Sequence, residues 1–258
     1  MSRPSVFLFA LIATLLPHAT SAVCSKNEPG YLWNYVGDLS KDLRIKMTLV
    51  FSGSELKGRY VYASQLKDIE LKGRVMEGRE VTLDELDAAG RVTGQFIGQF
   101  VEKDPRGIFG DSRLECDVIV GTWQKSGFAQ KRPFYLRSEG ATSGSLNHRY
   151  GNTGATHDDL IDRNAQTFWE GVQRGDKNAV AQQIRYPIEV TLGKKPNTLR
   201  SAAELVKQYD AVITPATRKA ILNDVPRYMF VRDEGVMLAN GIVWFGSDGK
   251  VISLMPLP

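Results

Sequence analysis

The sequence predicts an α+β protein in two halves: an all-β antiparallel barrel or sandwich, then a compact α+β unit. Three observations carry that expectation. Residues 43–136 hold short apolar runs with period-two alternation, broken by glycine-marked turns. Residues 138–156 are dominated by Gly, Ser, Thr, Ala and Asn and show no apolar period. Beyond them, apolar residues recur at helical spacing and then give way to a last set of strand-like runs.

The N-terminus comes first in the chain and reads as a targeting segment, residues 1–22. Arg3 supplies a short positive region, residues 6–16 an apolar core, and Thr20, Ser21 and Ala22 small residues at a cleavage site. Pro17 and His18 end the apolar run, which is short for a bilayer span. Cleavage is expected after Ala22, with export to a periplasm or the exterior. Cys24 offers lipidation as the alternative, but Val23 stands where a lipobox wants a small residue. No other segment is long and apolar enough for a membrane.

Composition agrees with an exported globular protein. Of 258 residues, 42% are hydrophobic and 24% charged, which is ordinary for a packed chain. The net charge of +4 is spread, with acids interspersed and no run of four basic residues. That is a solvated surface rather than a nucleic-acid patch. Cys24 and Cys116 both survive cleavage, and an even count in an oxidising compartment predicts a bridge. It would close a loop of roughly 90 residues, for which chain entropy gives about 4–5 kcal/mol at most. Two free thiols are the alternative.

In the first half, residues 23–137, strands are expected over 43–51, 56–62, 69–76, 81–86, 92–101, 114–123 and 133–136. Ile45, Met47, Leu49 and Phe51 fall on one face, Lys46 and Thr48 on the other. Turns are marked by Ser52-Gly53-Ser54, Glu77-Gly78 and Ala89-Gly90. Leu56-Lys57-Gly58-Arg59 recurs as Leu71-Lys72-Gly73-Arg74, a short internal repeat. Gly94, Gly98 and Gly121 inside strands signal strong sheet curvature, or else a ligand close to the sheet. The aromatics Tyr31, Trp33, Tyr35, Tyr60, Tyr62, Phe96, Phe100, Trp123 and Phe134 are expected as core and cross-strand pairs, with a barrel mouth as the alternative. The turn-rich loop 102–111 is the best exposed recognition loop of this half.

Residues 138–156 are expected as a flexible connector. His148 and His157 lie in or beside it, and they are the only histidines left after cleavage. A Ser-His-Asp or Cys-His mechanism would need one of them to fold back into a site. A zinc site is equally short of ligands. No catalytic residue, metal or cofactor is therefore expected.

In the second half, residues 157–258, Asp158 or Asp159 caps a helix to Arg174 with Ile161, Ala165, Phe168 and Val172 as its apolar stripe. Gly175 ends it, and Asp176 caps a second helix through Ile184. Pro187 precedes a strand over 188–192. Helices follow over 202–209 and 215–222, the latter opening on Thr214-Pro215. Three strands close the chain over 227–232, 236–245 and 250–255. Asn240-Gly241 is expected as a bulge in the middle one.

This half resembles the NTF2-like family of cone-shaped α+β domains. The resemblance rests on Phe168-Trp-Glu-Gly-Val-Gln-Arg-Gly-Asp176, Gln183-Ile-Arg-Tyr-Pro-Ile-Glu-Val190, Ala203-Glu-Leu-Val-Lys-Gln-Tyr-Asp210 and Gly235-Val-Met-Leu-Ala-Asn-Gly-Ile-Val-Trp-Phe245. It implies a bent sheet around the first helix, a conical pocket, and pairing into a dimer through the open sheet. Tyr186, Tyr209 and Trp244 are its pocket candidates. An isomerase of that fold uses a carboxylate base with an oxyanion donor. Glu189, Asp210 and Asp233, with Tyr186, Tyr209 and Tyr228, have the right chemistry, but no pair of them matches the family's catalytic positions.

Three functions follow in order. The first is a non-catalytic binding module for an envelope protein or cell-wall component. The second is a small-molecule or lipid carrier using the cone pocket or the barrel. The third is a dehydratase or isomerase.

Overall fold

The computed structural model describes residues 30–258, apart from 77, 78, 111, 113, 115, 194 and 234. The targeting segment, Cys24 and the Glu77-Gly78 turn therefore lie outside the described residues. The first half is a closed antiparallel barrel, which settles the choice between barrel and sandwich. Its strands are β1 (Tyr31–Leu39), β2 (Leu43–Ser52), β3 (Glu55–Tyr62), β4 (Ile69–Met76), β5 (Glu80–Leu86), β6 (Val92–Phe100), β7 (Val118–Lys125) and β8 (Lys131–Ser143). Each pairs with the next, and β1 closes on β8.

Eight strands leave an interior that side chains just fill. Here rings fill it. Phe96 meets Phe134 at 5.3 Å and Tyr60 at 5.4 Å between centroids, and Phe51 meets Phe100 at 6.3 Å. Tyr35, Tyr60, Phe96, Phe100, Trp123 and Phe134 are thus core, as expected, with Trp33 and Tyr62 packed at its margin, while Tyr31 is exposed. The two copies of the Leu-Lys-Gly-Arg repeat lie on β3 and β4, with Leu56 opposite Gly73 and Leu71 opposite Gly58. Gly98 on β6 faces Gly121 on β7. A Cβ on Gly121 would overlap the Ile97 carbonyl oxygen, so these glycines serve close backbone approach where the sheet coils.

Three features of this stretch differ from expectation. β1 is a full strand that alternation did not reveal, because Leu32, Val36, Tyr35 and Leu39 are all buried and both faces are covered. β8 runs thirteen residues rather than stopping at Leu136. The segment 138–156, expected as a flexible connector, is instead built into the molecule. Residues 138–143 complete β8 against β1, and Arg149 and Tyr150 are buried at 5% and 0% exposure. Buried partners further along the chain hold this polar stretch, and local composition could not report them.

The second half contains α1 (Asp158–Arg174), α2 (Lys177–Gln182), β9 (Ile188–Leu192), β10 (Lys195–Leu199), α3 (Ala202–Val212), α4 (Pro215–Leu222), β11 (Phe230–Arg232), β12 (Gly235–Leu238), β13 (Val243–Phe245) and β14 (Val251–Leu254). The α1 stripe is fully buried, and Phe168 meets Phe245 edge to face at 5.9 Å. Gly175 ends α1 in the left-handed region, and the Asp176, Ser201 and Thr214 side chains cap α2, α3 and α4. The α1 N-cap is His157, not an aspartate. Asp158 turns back instead and accepts from the Arg149 and Tyr150 amides at 2.7 and 3.1 Å.

The β10 strand was not expected; it forms a two-stranded sheet with β9. The strand expected over 236–245 is two strands, β12 and β13, paired antiparallel. Ala239, Asn240 and Gly241 all take positive φ there, so Asn240-Gly241 is a hairpin turn rather than a bulge. β11 to β14 form a four-stranded meander, and β14 lies beside β9.

Candidate functional site

The two halves meet along the β8-β1-β2-β3 wall. Asn34, Val36, Lys46, Thr48 and Val61 occupy outward positions there, yet each is 2% exposed or less. Sequence alternation set Lys46 and Thr48 on the face opposite Ile45, Met47, Leu49 and Phe51, and in the structure that face is a domain seam. Val61 and Leu66 of the barrel form one apolar cluster with Val225 and Tyr228.

Lys46 is the centre of the seam. Its Nζ lies 3.1 Å from Asp224 Oδ1 and 3.1 Å from Glu139 Oε2, and donates to the Val225 carbonyl at 3.4 Å. Burial acts to lower the lysine pKa, but Asp224 and Glu139 outweigh it and the net direction is up. Burial acts to raise the Asp224 carboxyl. Lys46 and the Ala239 and Val225 amides outweigh that and hold it below the usual carboxylate range. Those amides donate at 2.7 Å each, so both Asp224 oxygens are engaged.

A cavity of about 260 Å³ opens beside this ion pair, walled by Lys46, Arg137 and Glu139 from the barrel and by Asp224, Phe230 and Met237 from the second half. A neighbouring cavity of about 560 Å³ shares Arg137, Glu139 and Asp224 and adds Arg44. Among the described residues Arg137 makes one ionic contact, to Glu139 at 3.7 Å, which is beyond hydrogen-bond length. Its planar donor fork is therefore open to an anionic group. The groove can hold a ligand bearing both charges: Arg137 for the anion, Glu139 for the cation, Phe230 and Met237 for an apolar part.

A second ionic cluster locks the same seam. Asp162, 1% exposed, pairs with Arg149 and lies 2.8 Å from Arg227, and it accepts the Tyr150 hydroxyl at 2.8 Å. Arg227 and Arg149 also reach Asp68 of the barrel at 3.5 and 3.8 Å. Burial pushes the Asp162 carboxyl up, and the two arginines pull against it. Every ionic group here has a charged partner, so the cluster reads as a fastening. At the barrel mouth, Glu85 accepts from Tyr60, Trp123 and Thr93 at 2.7, 3.0 and 2.9 Å. That arrangement orients rings within the barrel.

The sequence candidates do not converge. Tyr186 donates to the Ala181 carbonyl at 3.0 Å, and Trp244 donates to the Gly241 carbonyl at 2.8 Å. Tyr209 lines a separate cavity between the helices. Glu189, Asp210 and Asp233 are exposed, Tyr228 is buried in the seam, and His148 and His157 are exposed. The loop 102–111 is partly pinned: buried Asp104 accepts from Tyr135 and from the Arg106, Ile108 and Phe109 amides. Cys116 is 1% exposed and is not a free cysteine. Lys46, Arg137, Glu139 and Asp224 were missed. The only local signal was a lysine within an apolar strand, which an outward position explains equally well.

The chain matches no family model, no curated protein and no solved structure.

Proposed function

We propose that the chain is an exported, non-catalytic binding protein that takes part of an envelope protein or cell-wall component into the seam groove. The observation that carries this reading is the geometry of the groove, where Lys46 is held 3.1 Å from both Asp224 and Glu139 and Arg137 stands beside them without a close partner among the described residues. Lys46 is pushed up and Asp224 down, both away from neutral pH. Proton transfer favours a group poised near the working pH. Fixed charges of both signs favour recognition and register. Both halves supply the walls, so the groove exists only while they are docked.

A photo-crosslinking residue at Asn240, beside the groove, tests this in the exporting cell, with exposed Lys195 on β10 as control. A discrete adduct at Asn240 that Arg137→Glu abolishes is the expected result. Equal or absent crosslinking at the two positions would overturn the reading. The intact mass of the same preparation checks export and the Cys24–Cys116 bridge: a chain starting at Val23 and lighter by two hydrogens supports both.

The NTF2-like identity of residues 157–258 belongs to the same proposal. The helix pair ahead of β9 and the closing meander support it. Amide hydrogen exchange tests it: protected amides on the facing edges of β9 and β14 favour the family, and free exchange at both edges counts against it. The ring-filled barrel and the Phe168–Phe245 contact weigh against a carrier that uses the barrel or the space under α1.

A further inference from the structure

The helical face of the second half holds a feature that the seam does not use. A cavity of about 580 Å³ lies where the end of α1, the start of α2, and α3 and α4 meet. That is within the range of small-molecule sites. Tyr209 on α3 forms part of its wall. The residue is 5% exposed, and its hydroxyl is buried with no hydrogen-bond partner among the described residues. Buried hydroxyls are normally paired, and one left alone is a cost to the fold that a bound acceptor would remove. Burial pushes the phenol upward, with Arg218 pulling down and Asp210 and Asp176 adding to the rise, so the hydroxyl stays a neutral donor.

The lining sets the ligand chemistry. Lys177, Arg218 and Lys219 face one carboxylate, Asp210, so the charge is net positive. Lys177 pairs with Asp210 at 2.8 Å and sits 5.3 Å from the Tyr209 ring centre. Arg218 is fixed by donating to the Val172 and Gln173 carbonyls at 3.2 and 2.7 Å, which also neutralises the negative end of α1 there. That leaves its Nη1 for a ligand. Ile213, Pro215 and Leu222 give an apolar floor.

We propose that this cavity binds a small amphiphilic carboxylate, with its apolar body on Ile213 and Leu222 and its carboxylate accepting from Tyr209 and Arg218. The site is independent of the seam groove. Neutral alcohols would lack the charge, and inorganic phosphate would lack the apolar body.

Amide NMR titration of the ¹⁵N-labelled protein tests this with octanoate and benzoate, against octanol, benzyl alcohol and inorganic phosphate. Saturable shifts at Tyr209, Arg218 and Leu222 with a carboxylate are expected, with weaker binding of the matching alcohol. Tyr209→Phe should weaken carboxylate binding by about tenfold, the value of one hydrogen bond to a charged group. The same variant without ligand should melt no lower than the parent, because it removes an unpaired hydroxyl. Lys177→Gln gives a second reading, with carboxylate binding weakened and alcohol binding unchanged. No saturable shift with either carboxylate, equal binding of acid and alcohol, or full binding by Tyr209→Phe would each overturn the proposal.

Discussion

Asp162 shows what one buried charge does when its three partners come from two separate segments. Its carboxylate is held by Arg149 from the connecting segment, by Arg227 after α4, and by the Tyr150 hydroxyl. Asp162→Asn would leave two largely buried guanidiniums short of a counter-charge. Removing one member of a buried pair costs about 3–5 kcal/mol. The low end is expected here, about 3 kcal/mol, because Arg149 keeps Asp158 and Arg227 keeps Asp68. Urea unfolding with an unchanged slope checks it, and a loss under about 1 kcal/mol would show that the cluster carries little. None of this was legible beforehand. Asp162 sits in an amphipathic helix where its spacing suggests solvent, and Arg149 sits in a stretch with no apolar residue pattern at all. What buries them is separated from them in sequence.

Local chemistry was much more legible at the scale of the element. Asp176, Thr214 and Gly175 each mark a boundary in the sequence, and each acts at that boundary in the structure. The barrel strands β2 to β6 fall within a residue or so of the alternating runs. Where elements were missed, both faces are buried or a turn looks like strand. β1 lost its alternation because the second half covers its outer side, and β12–β13 read as one run because Asn240-Gly241 is flanked by apolar residues. The α2 cap makes a measurable case. The Asp176 carboxylate accepts from the Ala179 amide at 2.9 Å, and the helix behind it has only six residues. Asp176→Ala should cost about 1 kcal/mol in chemical denaturation, and Asp176→Ser should recover most of it.

The seam sets the behaviour of the whole molecule. Lys46 and Asp224 are 178 residues apart, and their contact joins the two halves through a largely buried ion pair. Its pH limits follow from the directions of the shifts. The Asp224 folded pKa lies below its unfolded value of about 3.9, so its contribution is present above that pH and is lost as pH falls through the depressed folded value. The Lys46 folded pKa lies above its unfolded value of about 10.4, so its contribution is full below that pH and is lost as pH rises through the raised value. The melting temperature should therefore hold a plateau between those limits and fall in acid. Asp224→Asn should lower the plateau and flatten the acid fall; an unchanged acid limb would place the acid sensitivity elsewhere. The closed barrel has one more consequence. A cylinder without a first or last strand offers no unpaired backbone ladder for another chain to extend. In the second half, β10 carries Lys195 and Pro196 and β11 has three residues, so neither makes a good template. Whatever binds the barrel wall must therefore read its side chains.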